Sequence, residues 1–282
     1  MSSAGRPVYA APAAVGPLLK RWRAARRMSQ LELALAAGVS SRHVSFVETG
    51  RSRPSREMLL VLSTVLDVPL RERNALLQAA GFAAVYRETA LDDPEMAGMR
   101  QALELILRQH EPFGAVAMDR HWDILMANAA YLRFLSLLLP GTAAPAPLAV
   151  APRPRLNALR MLFDPRALRP FVVNWPRLAR DLLMRVHREA SSGADERASA
   201  LLSGLLAFPE IPADWREPDL DTAPSLVLPV ELRAGEMSVR FFTTLTTLGA
   251  PQDVTLQELR IESFHAADAA TEQLVRAMAA GA

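Results

Sequence analysis

The chain has 282 residues, half of them apolar and 22% charged, and contains no cysteine. That excludes disulfide scaffolds, Cys-ligated zinc and thiol catalysis. No apolar run reaches the roughly 20 residues of a membrane span and no signal-peptide core opens the chain, so a cytoplasmic location is expected. The net charge of +2 conceals a split: residues 1–82 hold 12 Lys and Arg against 5 Asp and Glu, and residues 83–282 hold 20 against 25. A basic head on an acidic remainder points to nucleic-acid binding. Arginine abundance adds little to this, because Lys20 is the lone lysine among 32 basic residues, a bias that coding composition alone produces.

In chain order, residues 1–15 mix Ser, Gly, Pro and Ala without periodicity and predict a disordered arm. From Gly16 to Gly81 the pattern is a run of short helices. Leu18, Leu19, Trp22 and Arg26 define a first amphipathic face. Ser29 and Glu32 are spaced as a capping box for a second helix, which ends near Gly38. A third helix is expected from about Ser40 to Glu48, stopping at Gly50. Pro54-Ser55 opens a fourth, and Pro69 suits the first turn of a fifth. Residues 83–112 read as a helical connector. Ala115–Met118 and Ile124–Met126 predict a hairpin, followed by a helix from about Asn128. Five prolines within residues 140–154 predict a loop. Helical spacing returns at 156–163 and 176–190. Strands are expected at Leu226–Arg233, Met237–Leu248 and Glu258–Phe264, with a last helix from about Asp268. The fold class is α+β: an all-helical N-terminal domain, then an antiparallel sheet with helices on one side.

The strongest signal is Gln30–Gly50, QLELALAAGVSSRHVSFVETG. Two short helices joined by Gly-Val-Ser can cross steeply and project the second into a major groove. Leu31, Ala34, Leu35, Val39, Val44 and Val47 are spaced to form a shared core. Burying Val44 and Val47 turns Ser41, Arg42 and Ser45 outward, where a guanidinium can meet a base edge. Gln30, Thr49, Arg51, Arg53 and Arg56 suit phosphate contacts, which position a protein without reading sequence. Ser40 completes this candidate surface.

The stretch SQLELALAAGVSSRHVSFVETGRSRPS resembles the helix-turn-helix of the Cro/repressor type, the xenobiotic-response-element family. The resemblance implies a phosphate contact by Gln30, base reading by Ser41 and Arg42, and a structural ion pair between Arg23 and Glu48. Phe46 departs from the pattern, since that family carries a polar or basic side chain there. Further on, RLNALRMLFDP (155–165), FVVNWPRLARDLLMRVHREA (171–190) and TTLTTLGAPQDVTLQELRIESFHAADAATE (243–272) resemble the MmyB-like regulators. Ala266 departs from them, where proline is usual, and 141–154 looks like an insertion.

That second resemblance implies a PAS-like ligand-binding domain over 113–268, beside a DNA-binding domain over 16–82 and a C-terminal helix and tail over 269–282. It implies a small hydrophobic, fatty-acid-like ligand, since each buried methylene is worth about 0.8 kcal/mol. Trp122, Phe134, Phe163, Phe171, Trp175, Phe241 and Phe264 are candidate lining residues; Arg160, Arg169, Asn174 and His265 are candidates for a polar end. Partners expected are double-stranded DNA, that ligand and a second copy, because one helix-turn-helix reads a half-site. The alternative is a C-terminal domain that serves as a dimerisation platform. No enzyme, metal site or membrane partner is expected: His110, His121, His187 and His265 lack ligand spacing, Asp92-Asp93 reads as a helix cap, and no glycine loop fits a phosphate.

Overall fold

The computed structural model describes residues 15–141, 146–191, 195–217, 227 and 229–281. The predicted arm therefore lies outside the described residues up to position 14, as do residues 142–145 of the proline-rich stretch and the start of the strand expected at 226. The chain folds as two compact units, one running to Glu88 and including Pro251–Gln257, the other taking Thr89–Ala250 and Glu258 onward.

The first unit is built from α1 (Val15–Ala25), α2 (Gln30–Ala37), α3 (Ser41–Glu48), α4 (Arg56–Val65) and α5 (Leu70–Ala79). Caps set the boundaries. Ser29 accepts from the Glu32 N–H while the Glu32 carboxylate accepts from the Ser29 N–H, and Gly38 ends α2 at φ 67°. Ser40 and Ser55 cap α3 and α4 by their side chains alone, accepting from the N–H groups of His43 and Met58. Leu19, Trp22, Leu33, Ala34, Val44, Val47, Leu62 and Leu66 form the core. The expected core positions Leu31 and Leu35 are instead 58% and 73% exposed. Six of the eight residues of α2 are apolar, so the sequence marks no single face, and packing against α1, α3 and α4 selects Leu33 and Ala34.

The second unit is an α+β layer structure. After a 3-10 turn at Pro94–Met96, capped by Asp93, come α6 (Ala97–Gln109), β1 (Ala115–Met118), β2 (Ile124–Ala127), α7 (Ala129–Leu138), α8 (Ala158–Phe163), α9 (Trp175–Ser191) and α10 (Glu196–Leu206). Then follow β3 (Val230–Ala234), β4 (Met237–Thr246), α11 (Val254–Glu258), β5 (Arg260–Ala266) and α12 (Ala269–Ala280). Among the described residues the five strands pair antiparallel in the order β2-β1-β5-β4-β3.

Two expectations change here. The predicted connector is helical only from its middle, because Asp93 and Pro94 start the helix late, and α6 buries Leu103 and Leu107 against Ala115, Ala117, Leu125, Met126 and Ile261. Helices consequently cover both faces of the sheet at this end, not one. The cause lies in β1 and β2, where all four residues of each strand are buried, the mark of strands packed on both sides. The helix α10 was not anticipated. After the proline-rich stretch, the N–H groups of Leu148 and Ala151 donate to Ala127 and Leu125 carbonyls at 2.8 and 2.7 Å, which satisfies the outer edge of β2.

Candidate functional site

Two sites arise, one in each unit. In the first, α3 buries Val44, Val47 and Glu48 and leaves Ser41 and Arg42 exposed, with Ser45 and Phe46 half-buried. Arg51, Arg53 and Arg56 are exposed on the segment that follows, as are Ser40 and Thr49. Arg42 and Arg51 lie over the Phe46 ring, 5.1 and 6.0 Å from its centroid. An arginine held on an aromatic face loses less rotamer freedom when it meets a base or phosphate. The Thr49 hydroxyl donates to the Ser45 carbonyl at 2.7 Å, leaving an acceptor outward.

Behind this surface sits a charge cluster. Arg23 Nε and Nη2 donate to the two oxygens of Glu48, both at 2.7 Å, and Nη1 donates to the Met28 carbonyl at 2.8 Å. Gln30 Nε2 also donates to Glu48, at 2.9 Å, so the predicted phosphate contact shares its amide with an internal partner. Burial alone would raise the Glu48 carboxyl, but the bonds from Arg23 and Gln30 outweigh it and hold the group below its usual range. The backbone of α1 presses on the same spot: a Cβ on Gly16 would stand 2.4 Å from the Glu48 carbonyl oxygen and 2.7 Å from that of Val47.

In the second unit, a cleft of about 1030 Å³, partly open to solvent, lies between the sheet and helices α7, α8 and α9. Tyr131, Phe134, Leu138, Leu178 and Leu182 give it apolar walls; Thr243, Glu262, Asp181 and Arg185 supply polar groups. Strand alternation explains the floor. On β5, Glu262 and Phe264 face the cleft while Ile261 packs against α6. A smaller cavity of about 540 Å³ shares Tyr131, Phe134, Leu232 and Phe264 with the first and continues under α12 to Val275, Met278 and Ala279. The shared wall is aromatic: Phe241 meets Phe134 and Phe264 edge-on at 5.7 and 6.1 Å, and Tyr131 lies 5.8 Å from Phe264.

Trp122 closes one end of the cleft from an unusual backbone position, φ 67°. Such a conformation is costly for a bulky residue and needs support. Support comes from Asp119, whose carboxylate accepts from the N–H groups of His121 and Asp123 at 2.8 and 3.0 Å. The indole lies beneath Arg185 and Arg260, at 4.9 and 5.7 Å, and Glu189 bridges them, accepting from Arg260 at 2.8 Å and from Trp122 Nε1 at 3.3 Å.

Of the candidate lining residues, Trp122, Phe134 and Phe264 border the larger cleft, and Phe241 the smaller. Phe163 and Trp175 pack edge-on at 4.7 Å in the core, and Phe171 packs against that core. Asn174 stitches β3, donating to the Pro229 carbonyl at 2.7 Å and accepting from Glu231 N–H. Arg169 stacks on Trp175 at 4.5 Å and pairs with Glu210. Arg160 packs beside Gly204, and His265 stacks on Phe242 on the sheet face away from the cleft. None of these last seven borders either cavity. The residues that the sequence reading passed over, Tyr131, Arg185, Thr243 and Glu262, are polar or amphipathic side chains on faces that periodicity alone assigns to solvent or core. Among the described residues no group of three or more His, Asp or Glu could hold a metal ion.

Residues 19–73 match the helix-turn-helix family. Residues 99–278 match the family described as the MmyB-like transcription regulator ligand binding domain. The high-resolution crystal structure of the restriction-modification controller protein C.AhdI from Aeromonas hydrophila is 35% identical, over 23% of this chain and 98% of that one, with a TM-score of 0.21. No curated protein matches. With a helix-turn-helix unit at its N-terminal end and a matched ligand-binding domain spanning more than half its length, the chain belongs to the MmyB-like transcription regulators.

Proposed function

We propose that this regulator binds a specific operator as a homodimer in the cytoplasm and senses a small hydrophobic molecule, fatty-acid-like in build, with one polar end on an apolar chain. The observation that carries the reading is the cleft over the β5-β4-β3 end of the sheet, apolar along most of its wall with a few polar groups converging on one region. The strand order and the cleft between sheet and helices support a PAS-like sensor over a bare dimerisation platform. On the DNA side, Arg42 reads a guanine edge, a contact worth roughly 1–3 kcal/mol of discrimination, and Ser41 and Ser45 sit beside it. Gln30, Ser40, Thr49, Arg51, Arg53 and Arg56 hold phosphates, and Phe46 serves as a stacking platform. Ligand would shift the population between two arrangements of the paired DNA-binding units, for which it must have different affinities.

The test has two parts. Native mass spectrometry of freshly purified protein should find a dimer, with a small apolar molecule released on denaturation. Operator selection with wild-type protein and Arg42→Ala should then show relaxed preference at one base pair of each half-site. An unchanged preference would remove Arg42 from base readout, and a strict monomer on DNA would remove the half-site scheme.

A further inference from the structure

Phe46 is the one aromatic side chain on α3, and the core does not take it in. Val44, Val47 and Glu48 turn inward, while the partly buried residues that close this core are Met28, Ala37, Val39 and Met58 with their neighbours. Phe46 stays half-buried at the surface, and what its ring meets is charge. Arg42, four residues earlier on the same helix face, lies over it at 5.1 Å, and Arg51 at 6.0 Å. The Phe46 carbonyl accepts from the N–H groups of Arg51 and Ser52 at 2.8 and 3.1 Å. The turn that brings Arg51 back to the ring is thus fixed by backbone bonds. Ser41 and Ser45, beside this pair on α3, are short. Arg42 and Phe46 therefore stand highest on the face that meets a groove.

A guanidinium bonded to guanine O6 and N7 lies beside C5 of the pyrimidine that precedes that guanine on the same strand. Thymine and 5-methylcytosine carry a methyl at C5, and cytosine carries a hydrogen. Apolar contact with such a methyl is a base-specific signal in the major groove. A ring already held under two guanidinium groups offers that contact at little ordering cost. We infer that α3 reads a 5-methylated pyrimidine followed by guanine, with the methyl packed against Phe46 and the guanine held by Arg42. TpG and methylated CpG steps are then taken over unmethylated CpG. The inference rests on the DNA-binding reading above and names the base step that reading leaves open.

The experiment starts from a duplex selected out of a random library by the full-length protein, with a TpG step expected in each half-site. Replacing that thymine by deoxyuridine in one half-site removes only the methyl. It should weaken binding about four-fold, the worth of one buried methyl group. With cytosine at the same position binding should fall at least as far, and 5-methylcytosine should recover about four-fold over cytosine. Phe46→Gln, checked by thermal melting, should bind the thymine and deoxyuridine duplexes within about two-fold of one another. Phe46→Leu, which keeps an apolar contact, should keep most of the difference. Arg53→Ala, at a phosphate, should weaken both duplexes alike. Equal binding of the two duplexes by the wild-type protein overturns the methyl contact and leaves the DNA-binding reading standing. So does a preference for thymine that survives Phe46→Gln. A library from which no sequence is enriched overturns both.

Discussion

At the scale of single residues, the DNA-binding unit depends on a few atoms behind its surface. Glu48 is nearly fully buried and its charge is met by Arg23 in a two-point contact. Removing one member of such a pair leaves the other unmet, at a cost of about 3–5 kcal/mol. Arg23→Ala should therefore lower the stability of this unit by an amount near the lower bound, read as a shift in the urea midpoint. The sign of its pH dependence follows from the direction of the Glu48 shift. Because its folded carboxyl is held below its unfolded value, its contribution is full above the unfolded value and fades as pH falls through the folded one. Acid titration of the wild type should show this loss below about pH 4.5, the ordinary glutamate range, and Glu48→Gln should flatten the curve there. Gly16 is as demanding for a steric reason: Gly16→Ala places a methyl 2.4 Å from a carbonyl oxygen of α3. It should force α1 away and cost about 1–3 kcal/mol, again read in urea. A melting curve superimposable on wild type would show that α1 adapts freely.

At the scale of elements, what the sequence discloses depends on whether one face of an element is distinct. The caps at Ser29, Ser40 and Ser55, the β1–β2 hairpin and α7 after Asn128 are all readable, because each carries a local chemical signal. The Arg23–Glu48 pair is readable by resemblance. The inner face of α2 is not, since its apolar residues surround the helix. Glu262 is also hidden: beside Arg260 on β5 it reads as the wet side of a strand, and only the packing of α7 and α9 over that side turns it into a cavity wall. The same packing creates the aromatic partition between the two cavities, built from Tyr131 and Phe134 one turn apart on α7 and Phe264 on β5. That partition should set a limit on ligand length. Phe264→Ala would join the cavities, so affinity across a series of straight-chain fatty acids from eight to eighteen carbons should peak at longer chains than in wild type. An identical optimum would mean that the tail does not reach this wall.

At the scale of the whole molecule, the chain path itself links ligand and DNA. After β4 the chain leaves the second unit at Ala250, contributes Pro251–Gln257 to the first, and returns at Glu258 to form β5. The two strands that flank this excursion carry Thr243 and Glu262, the polar floor of the cleft. Within the first unit the segment is tied to backbone. The Val254 N–H donates to the Arg87 carbonyl at 2.8 Å, and Gln257 Oε1 accepts from the Leu70 N–H at 2.6 Å. Leu70 opens α5, whose cap residue Pro69 has no side chain able to serve this orphan donor. The missing cap is thus supplied by a residue that follows β4 and precedes β5. A ligand that draws β4 and β5 together or apart has a covalent route to the start of α5, and coupling through such an element is typically 1–3 kcal/mol, or roughly 5–150-fold in affinity. Gln257→Ala severs the hydrogen bond while keeping the chain intact. It should leave fatty-acid binding to the cleft within two-fold of wild type by tryptophan fluorescence, and ligand-free operator affinity likewise. The factor by which ligand changes operator affinity should fall at least five-fold. If that factor is unchanged, the 251–257 excursion is a structural tie for α5 alone and the signal travels through the Glu88–Thr89 connection.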